Sequence, residues 1–264
     1  METIIFYILI FAIGTVFGSF FTLAVYRLPL HKDITHERSF CPNCNHKLSF
    51  FDMIPILSYI FLKGKCRYCG QKIRIRYLLL EVLTGIVFLL FAMSININFY
   101  EIELDKLVYL VCGMLYMAGL IILAGIDKEN KKIFKPILVY EIVVLSLYMI
   151  YLYIVEKANI YRYVIYLLIM FIIFIIDTVK LKNNKQESYY LEIMILCIIQ
   201  ATFTYRYAFL LTVIITLIIV AIYNLIMKIK NKKNDEKMRI PFGYYLCITN
   251  IIVMICINFL AFKN

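Results

Sequence analysis

Four cysteines near the N-terminus stand in two pairs whose spacing is typical of a metal site. Cys41 and Cys44 form one C-x2-C motif. Cys66 and Cys69 form a second, and 21 residues separate the two motifs. Each motif can offer two thiolates from one tight turn, and two such turns complete the tetrahedral shell of a structural zinc site. Gly70 directly follows the second motif and supplies the backbone freedom that such a turn needs.

The number of thiolates predicts what the metal does. Four sulfur ligands leave no open coordination position, so we expect zinc to be structural. A redox C-x2-C pair or an iron–sulfur site would use the same residues and stays an alternative. His31, His36 and His46 lie nearby, and we interpret them as bystanders because the shell is complete without them. The remaining cysteines are predicted to be small core side chains in apolar runs: Cys112, Cys197, Cys247 and Cys256.

The composition places these residues in a membrane protein. Hydrophobic residues make up 63% of the 264 positions, against about 45–50% in soluble domains. Eight apolar segments are candidate transmembrane helices, which need about 20 residues each: 3–26, 77–95, 107–126, 137–155, 163–179, 189–203, 207–227 and 242–262. The sixth is short. The first is expected to be a retained helix, because it is long for a signal peptide and no basic segment precedes it.

The positive charges predict how the chain crosses the membrane. The net charge is +11, and 23 of the 28 Lys and Arg residues fall in alternate loops at 27–76, 128–135, 180–185 and 228–239. The positive-inside rule puts these loops in the cytosol and the N-terminus outside. A reducing cytosol disfavours disulfides at the cysteine motifs. We expect the basic residues to face membrane lipids with acidic headgroups, and we expect no nucleic-acid partner.

Together these features predict the fold class and the domain organisation. The fold is an all-α integral membrane protein with about eight transmembrane helices and a small cytosolic zinc-binding loop between helices 1 and 2. Residues 1–100 form an N-terminal region with helix 1, the zinc loop at 27–76 and helix 2. Residues 101–264 form a helix bundle. The apolar stretch at 50–62 is expected to lie along the membrane surface.

Several short motifs resemble the type IV prepilin peptidase family in order and spacing. They are Gly18-Ser-Phe, Tyr26-Arg-Leu-Pro29, the two cysteine motifs, Asp52-Met-Ile-Pro55-Ile-Leu-Ser-Tyr59, Gly64-Lys-Cys66, Glu81-Val-Leu-Thr84-Gly85 and Ile240-Pro-Phe-Gly243. The resemblance implies an eight-helix aspartic endopeptidase of the bacterial inner (cytoplasmic) membrane. Such an enzyme cuts the short basic leader from prepilins or pseudopilins at the cytosolic face. The family also implies N-methylation of the new terminus, with S-adenosylmethionine as the methyl donor.

The family's chemistry needs two carboxylates that share a proton, one activating water and the other polarising the carbonyl. The resemblance assigns the first to Asp127, at the cytosolic end of helix 3. The family's Gly-x-Gly-Asp motif at helix 6 is absent, and its acidic position falls at Glu192. An intramembrane carboxylate is functional by default, which favours Glu192 over the alternatives Glu187 and Asp177. A helix-start Glu that complements the helix dipole is the simpler interpretation of Glu192.

The leading hypothesis is therefore a prepilin-type aspartic endopeptidase with prepilins or pseudopilins as substrates. The departures from the family pattern favour a second hypothesis, a catalytically impaired relative that binds pilin leaders or assembly partners. One departure is the missing glycine motif, and another is Phe134-Lys135-Pro136 where the family has Pro-Asp. A transporter with a zinc-ribbon gate is a third hypothesis, which the lack of paired broken helices disfavours.

Overall fold

The computed structural model describes residues 2–34, 39–97, 103–155, 161–184, 189–204, 206–230 and 240–261. These residues form helices and short turns, with no strand beyond two isolated bridges in the cysteine loop. The helices are α1 (Glu2–Arg27), α2 (Leu57–Phe61), α3 (Arg76–Ile95), α4 (Leu104–Asn130), α5 (Lys135–Ile154), α6 (Tyr161–Asn184), α7 (Tyr189–Phe203), α8 (Arg206–Lys230) and α9 (Phe242–Ala261). The predicted all-α membrane class is confirmed.

Each predicted transmembrane segment coincides with a helix, and α2 is an additional short helix of five residues inside the loop. By length and composition, six helices could cross a membrane: α1, α3, α4, α5, α8 and α9. The apolar parts of α6 and α7 are shorter, at Val164–Ile176 and Tyr189–Phe203. Since α7 has 15 residues, it rises only about 22 Å.

The first compact unit spans Met1–Lys106 and is built on the pairing of α1 with α3. Glycines let the two backbones touch. A Cβ on Gly14 would lie 2.8 Å from Cα of Gly85, and a Cβ on Gly18 would lie 2.8 Å from Cα of Glu81. Small residues four apart on one helix are the usual means of close helix packing in lipid. This pairing holds the two ends of the cysteine loop.

The second unit spans Leu107–Phe262, and α4 supplies much of its core. Twelve residues of α4 are buried, among them Tyr116 and Asp127. Phe203 of α7 stacks on the Tyr116 ring with centroids 4.3 Å apart. The hydroxyl of Tyr116 donates a 2.8 Å hydrogen bond to Oδ1 of Asn250 on α9. Helices α4, α7 and α9 therefore enclose polar side chains within an apolar bundle.

Candidate functional site

The structure brings the four predicted cysteines together in the first unit. Their sulfur atoms all lie within 4.8 Å of one another, and Sγ of Cys41 is 3.8 Å from Sγ of Cys69. A tetrahedral shell with Zn–S bonds of about 2.3 Å has sulfur–sulfur edges of about 3.8 Å. All eight cysteines lie within the described residues, and each is a free thiol. The donor set therefore fits one zinc ion.

Each cysteine motif is a tight turn closed by the same two backbone hydrogen bonds. In the first, the N–H of Cys41 donates to the carbonyl of His46 at 3.0 Å, and the N–H of Asn45 donates to that of Cys41 at 2.8 Å. In the second, Cys66 donates to Gln71 at 2.8 Å and Gly70 donates to Cys66 at 3.0 Å. The residue after each motif has a left-handed backbone, with φ of 55° at Asn45 and 70° at Gly70. The two halves of the site therefore share one geometry.

Hydrogen bonds from the turns stabilise thiolate sulfurs. The backbone N–H of Gln71 and the side-chain amide of Asn43 lower the pKa of the Cys69 thiol to about 6. The Asn43 bond, 3.6 Å from Nδ2 to the Cys69 sulfur, also links the first motif to the second. Because metal ligands must be deprotonated, these contacts prepare the Cys69 sulfur for a cation.

The described histidines lie outside the group of four sulfurs. The ring of His46 stacks on that of Tyr68 with centroids 3.5 Å apart. His31 has a left-handed φ of 52° and ends the short 3-10 turn Leu28–Leu30. His36 lies outside the described residues.

Two carboxylates fix the segment between the cysteine motifs. Asp52 accepts hydrogen bonds from the hydroxyl of Ser49 at 2.7 Å and from Nε of Arg67 at 2.7 Å. Burial raises the pKa of Asp52, but these bonds outweigh it and hold that pKa below its usual value. Glu81 of α3 accepts the backbone N–H of Ile56 at 2.8 Å. Ile56 has φ of 61°, a strained conformation for a β-branched residue, and the Glu81 bond helps to hold it.

Asp127 is fully buried in the last turns of α4. Its Oδ2 accepts hydrogen bonds from the hydroxyl of Tyr189 at 3.0 Å and from the backbone N–H of Tyr244 at 2.8 Å. The Tyr189 hydroxyl in turn accepts the N–H of Gly243 at 3.1 Å. No described residue donates to Oδ1 of Asp127. Hydrogen bonds therefore hold the carboxylate through Oδ2, and Oδ1 has no hydrogen-bond partner among the described residues.

The glycine of the C-terminal motif packs directly against this carboxylate. A Cβ on Gly243 would lie 3.0 Å from Oδ2 of Asp127 and 2.6 Å from Cδ1 of Ile133. The start of α9 thus approaches Asp127 so closely that a side chain there would displace it.

Glu192 is also buried, three residues after Tyr189 on α7. Residues three apart lie on one face of a helix, with Cβ atoms about 5–6 Å apart. Glu192 therefore lies one turn from the hydroxyl that holds Asp127. Nζ of Lys135 is 4.0 Å from Oε1 of Glu192. A cation therefore lies beside this buried carboxylate.

The two alternative carboxylates cannot be placed in the same way. Glu187 lies outside the described residues. Asp177 is within α6, but its side chain is not among those described.

Three of these residues were missed by the sequence analysis. Tyr189 and the N–H of Tyr244 carry no local signal, because only folding brings α7 and α9 to Asp127. The third is Glu141 on α5, which is fully buried and has no hydrogen bond to either oxygen from the described residues. A lone Glu inside an apolar helix is a signal that the sequence does contain.

Comparison with known proteins gives a family match in the first unit. Residues 12–95 match the Bacterial Peptidase A24 N-terminal domain. This range contains all four cysteines of the cluster, together with Asp52 and Glu81.

Several curated relatives are named prepilin leader peptidase/N-methyltransferase. The protein from Myxococcus xanthus is 42% identical over 84 residues, 32% of this chain and 25% of that protein. The one from Klebsiella pneumoniae is 36% identical over 130 residues, 46% of this chain and 52% of that protein. The one from Bacillus subtilis is 42% identical over 80 residues, 30% of this chain and 32% of that protein. The chain thus spans between a quarter and about half of the length of these relatives. No solved structure matches it.

Proposed function

The resemblance to the type IV prepilin peptidase family is confirmed over residues 12–95, and from that premise we propose that this chain is a prepilin-type membrane aspartic endopeptidase. Its substrates are prepilins or pseudopilins, and it cuts their basic leader at the cytosolic face of the bacterial inner membrane. The observation that carries the proposal is the buried carboxylate of Asp127, held through one oxygen by Tyr189 and the start of α9.

The proposed mechanism uses Asp127 and Glu192 as the acid and the base. The two hydrogen bonds to Oδ2 fix the orientation of the Asp127 carboxyl group and leave Oδ1 to meet the substrate. The Lys135 ammonium, 4.0 Å from Oε1 of Glu192, offers that carboxylate a counter-charge. Glu192 is then the base that takes a proton from the attacking water. Asp127 carries a proton on Oδ1 and polarises the scissile carbonyl.

The four cysteines support this function by organising the loop between α1 and α3. Cys41, Cys44, Cys66 and Cys69 would hold one structural zinc ion, which closes the two turns onto each other. With four sulfur ligands the ion has no position for substrate, so it takes no part in hydrolysis.

N-methylation with S-adenosylmethionine is a further activity that the relatives' names suggest for this chain. The described residues contain no glycine-rich loop at a helix start, the usual means of holding a nucleotide-like cofactor. We therefore assign no residue to S-adenosylmethionine and derive no methyl-transfer step.

The domain division and the topology complete the proposal. Residues 1–100 would form the zinc-bearing region, and residues 101–264 would form the bundle with the carboxylate pair. The basic loops would face the cytosol and the N-terminus would face outside. Asp127, in the last turn of α4, then lies at the cytosolic face, where a leader would arrive. Membrane lipids are the expected surroundings.

One observation favours the alternative, a catalytically impaired protein that binds pilin leaders or assembly partners. Glu192 adds a methylene to the family's Asp, and misplacements near 1 Å can lower rates about 100-fold.

Co-expression with candidate prepilins, with leader loss read by mass spectrometry, tests the proposal. Asp127→Asn and Glu192→Gln should each abolish cleavage while the protein stays folded.

Glu192→Asp should preserve or raise activity, because it restores the family's side chain. If Glu192→Gln cleaves normally and Glu187→Gln does not, Glu187 is the partner of Asp127. If the wild type cleaves no pilin, the binding function replaces the enzymatic one.

A further inference from the structure

Glu141 differs from the other buried carboxylates described in the second unit. Asp127 accepts two hydrogen bonds, and Glu192 lies beside Lys135. Glu141 is fully buried on α5, and no described residue donates to either of its oxygens. A carboxylate shielded from bulk solvent, with no hydrogen bond from the described residues, has little to stabilise its negative charge. We infer that Glu141 forms a proton-binding site in the interior of the second unit, where it is held as an uncharged carboxylic acid.

The position is shaped for a carboxyl group. A Cβ on Gly119 of α4 would overlap Oε1 of Glu141 and lie 2.7 Å from its carboxyl carbon. The Glu141 carboxyl group therefore occupies the space that a side chain on residue 119 would fill. A polar residue on a lipid-facing surface would not fit so closely against a neighbouring helix.

The groups that face Glu141 are uncharged at neutral pH. Those close enough to interact with it electrostatically are Tyr116 on α4, Tyr140 on α5 and Cys247 on α9. The hydroxyl of Tyr140 donates to the carbonyl of Leu115 at 3.0 Å, and that of Tyr116 donates to Asn250. The cation on α5, Lys135, is six residues away and lies beside Glu192. A proton bound to Glu141 itself is therefore what removes its charge.

The site is distinct from the proposed catalytic pair. Gly119 and Asp127 are eight residues apart on α4, a rise of about 12 Å. Cys247 of α9 is close enough to interact electrostatically with both Glu141 and Asp127. The inference does not depend on the proposed peptidase activity.

Infrared spectroscopy of the full chain in lipid bilayers at neutral pH tests this inference. The spectrum of the wild type minus that of Glu141→Gln should show the loss of one carboxylic-acid C=O band, at the high-frequency end expected without a hydrogen bond. Glu129→Gln is the matched control on the exposed end of α4, and it should lose an ionised carboxylate band instead. Loss of an ionised band in Glu141→Gln, as a bound metal cation would produce, overturns the inference.

A second variant covers the case in which Glu141→Gln does not fold. Gly119→Ala forces the carboxyl group out of its space, so the same acid band should shift in frequency. An unchanged acid band would contradict the assignment.

Thermal unfolding gives a separate readout, because a group that holds its proton only when folded destabilises the fold as the pH rises. The wild type should lose stability above the ordinary carboxyl range, and Glu141→Gln should lose less.

Discussion

The hydroxyl of Tyr189 donates a 3.0 Å hydrogen bond to Asp127 and accepts a 3.1 Å hydrogen bond from the N–H of Gly243. One side chain of α7 thus joins the end of α4 to the start of α9. Asp127 and Gly243 belong to separate parts of the sequence, 116 positions apart. Their meeting at one phenol joins the short motif before the last helix to the acidic residue in the last turn of α4.

Tyr189→Phe removes this bond and is expected to slow leader cleavage about 2- to 10-fold, since a hydrogen bond between uncharged groups contributes about 0.5–1.5 kcal/mol. Single-turnover cleavage of a pilin-leader substrate in detergent measures the effect. The control is Tyr190→Phe, since Tyr190 is 82% exposed, and its rate should not change. A wild-type rate for Tyr189→Phe would show that this hydroxyl does not position Asp127.

Gly243→Ala should destabilise the second unit and impair cleavage, because the new methyl group would meet Ile133 at 2.6 Å and Asp127 at 3.0 Å. The double variant Gly243→Ala/Ile133→Ala relieves the closer of these contacts. It should regain stability in thermal unfolding but remain slow in cleavage, since the methyl group still crowds the carboxylate. Full recovery of both properties would mean that only packing against Ile133 requires the glycine.

Metal analysis of the purified protein should find about one zinc per chain, as a single tetrahedral site requires. Replacing Cys41 and Cys66 together by Ser should abolish binding, because one ligand is lost from each turn. Cys256→Ser is the control, since this exposed cysteine lies on α9 in the other unit. Stoichiometric zinc in the double variant would rule out the four-cysteine assignment.

Reporter fusions test the predicted topology. Fusions after Phe99 and Lys263 should report the outer side of the membrane, and a fusion after Lys233 should report the inner side, because the basic loops are retained in the cytosol. These three positions lie outside the described residues, so the test rests on the charge pattern alone. An inner-side signal at Lys263 would break the eight-helix arrangement.

The sequence by itself determined the features that rest on composition and short spacing. Long apolar runs predict helices because lipid offers backbone groups no other partner, and all eight predicted segments are helical. The two C-x2-C motifs predict a cluster of four sulfurs because each motif is a local turn. The left-handed backbone at Gly70 follows from the same local geometry. The motifs also indicated the resemblance, which residues 12–95 confirm.

The tertiary structure decided which distant groups meet. Asp127 was predicted from its place at a helix end, but its partners on α7 and α9 depend on packing between helices far apart in sequence. The same holds for Lys135 beside Glu192 and for Gly119 opposite Glu141. Hydropathy treats all positions of a transmembrane helix alike, because it does not record which face points inward. Only packing in three dimensions determines whether a buried carboxylate receives a hydrogen bond, a cation or, as we infer for Glu141, a proton.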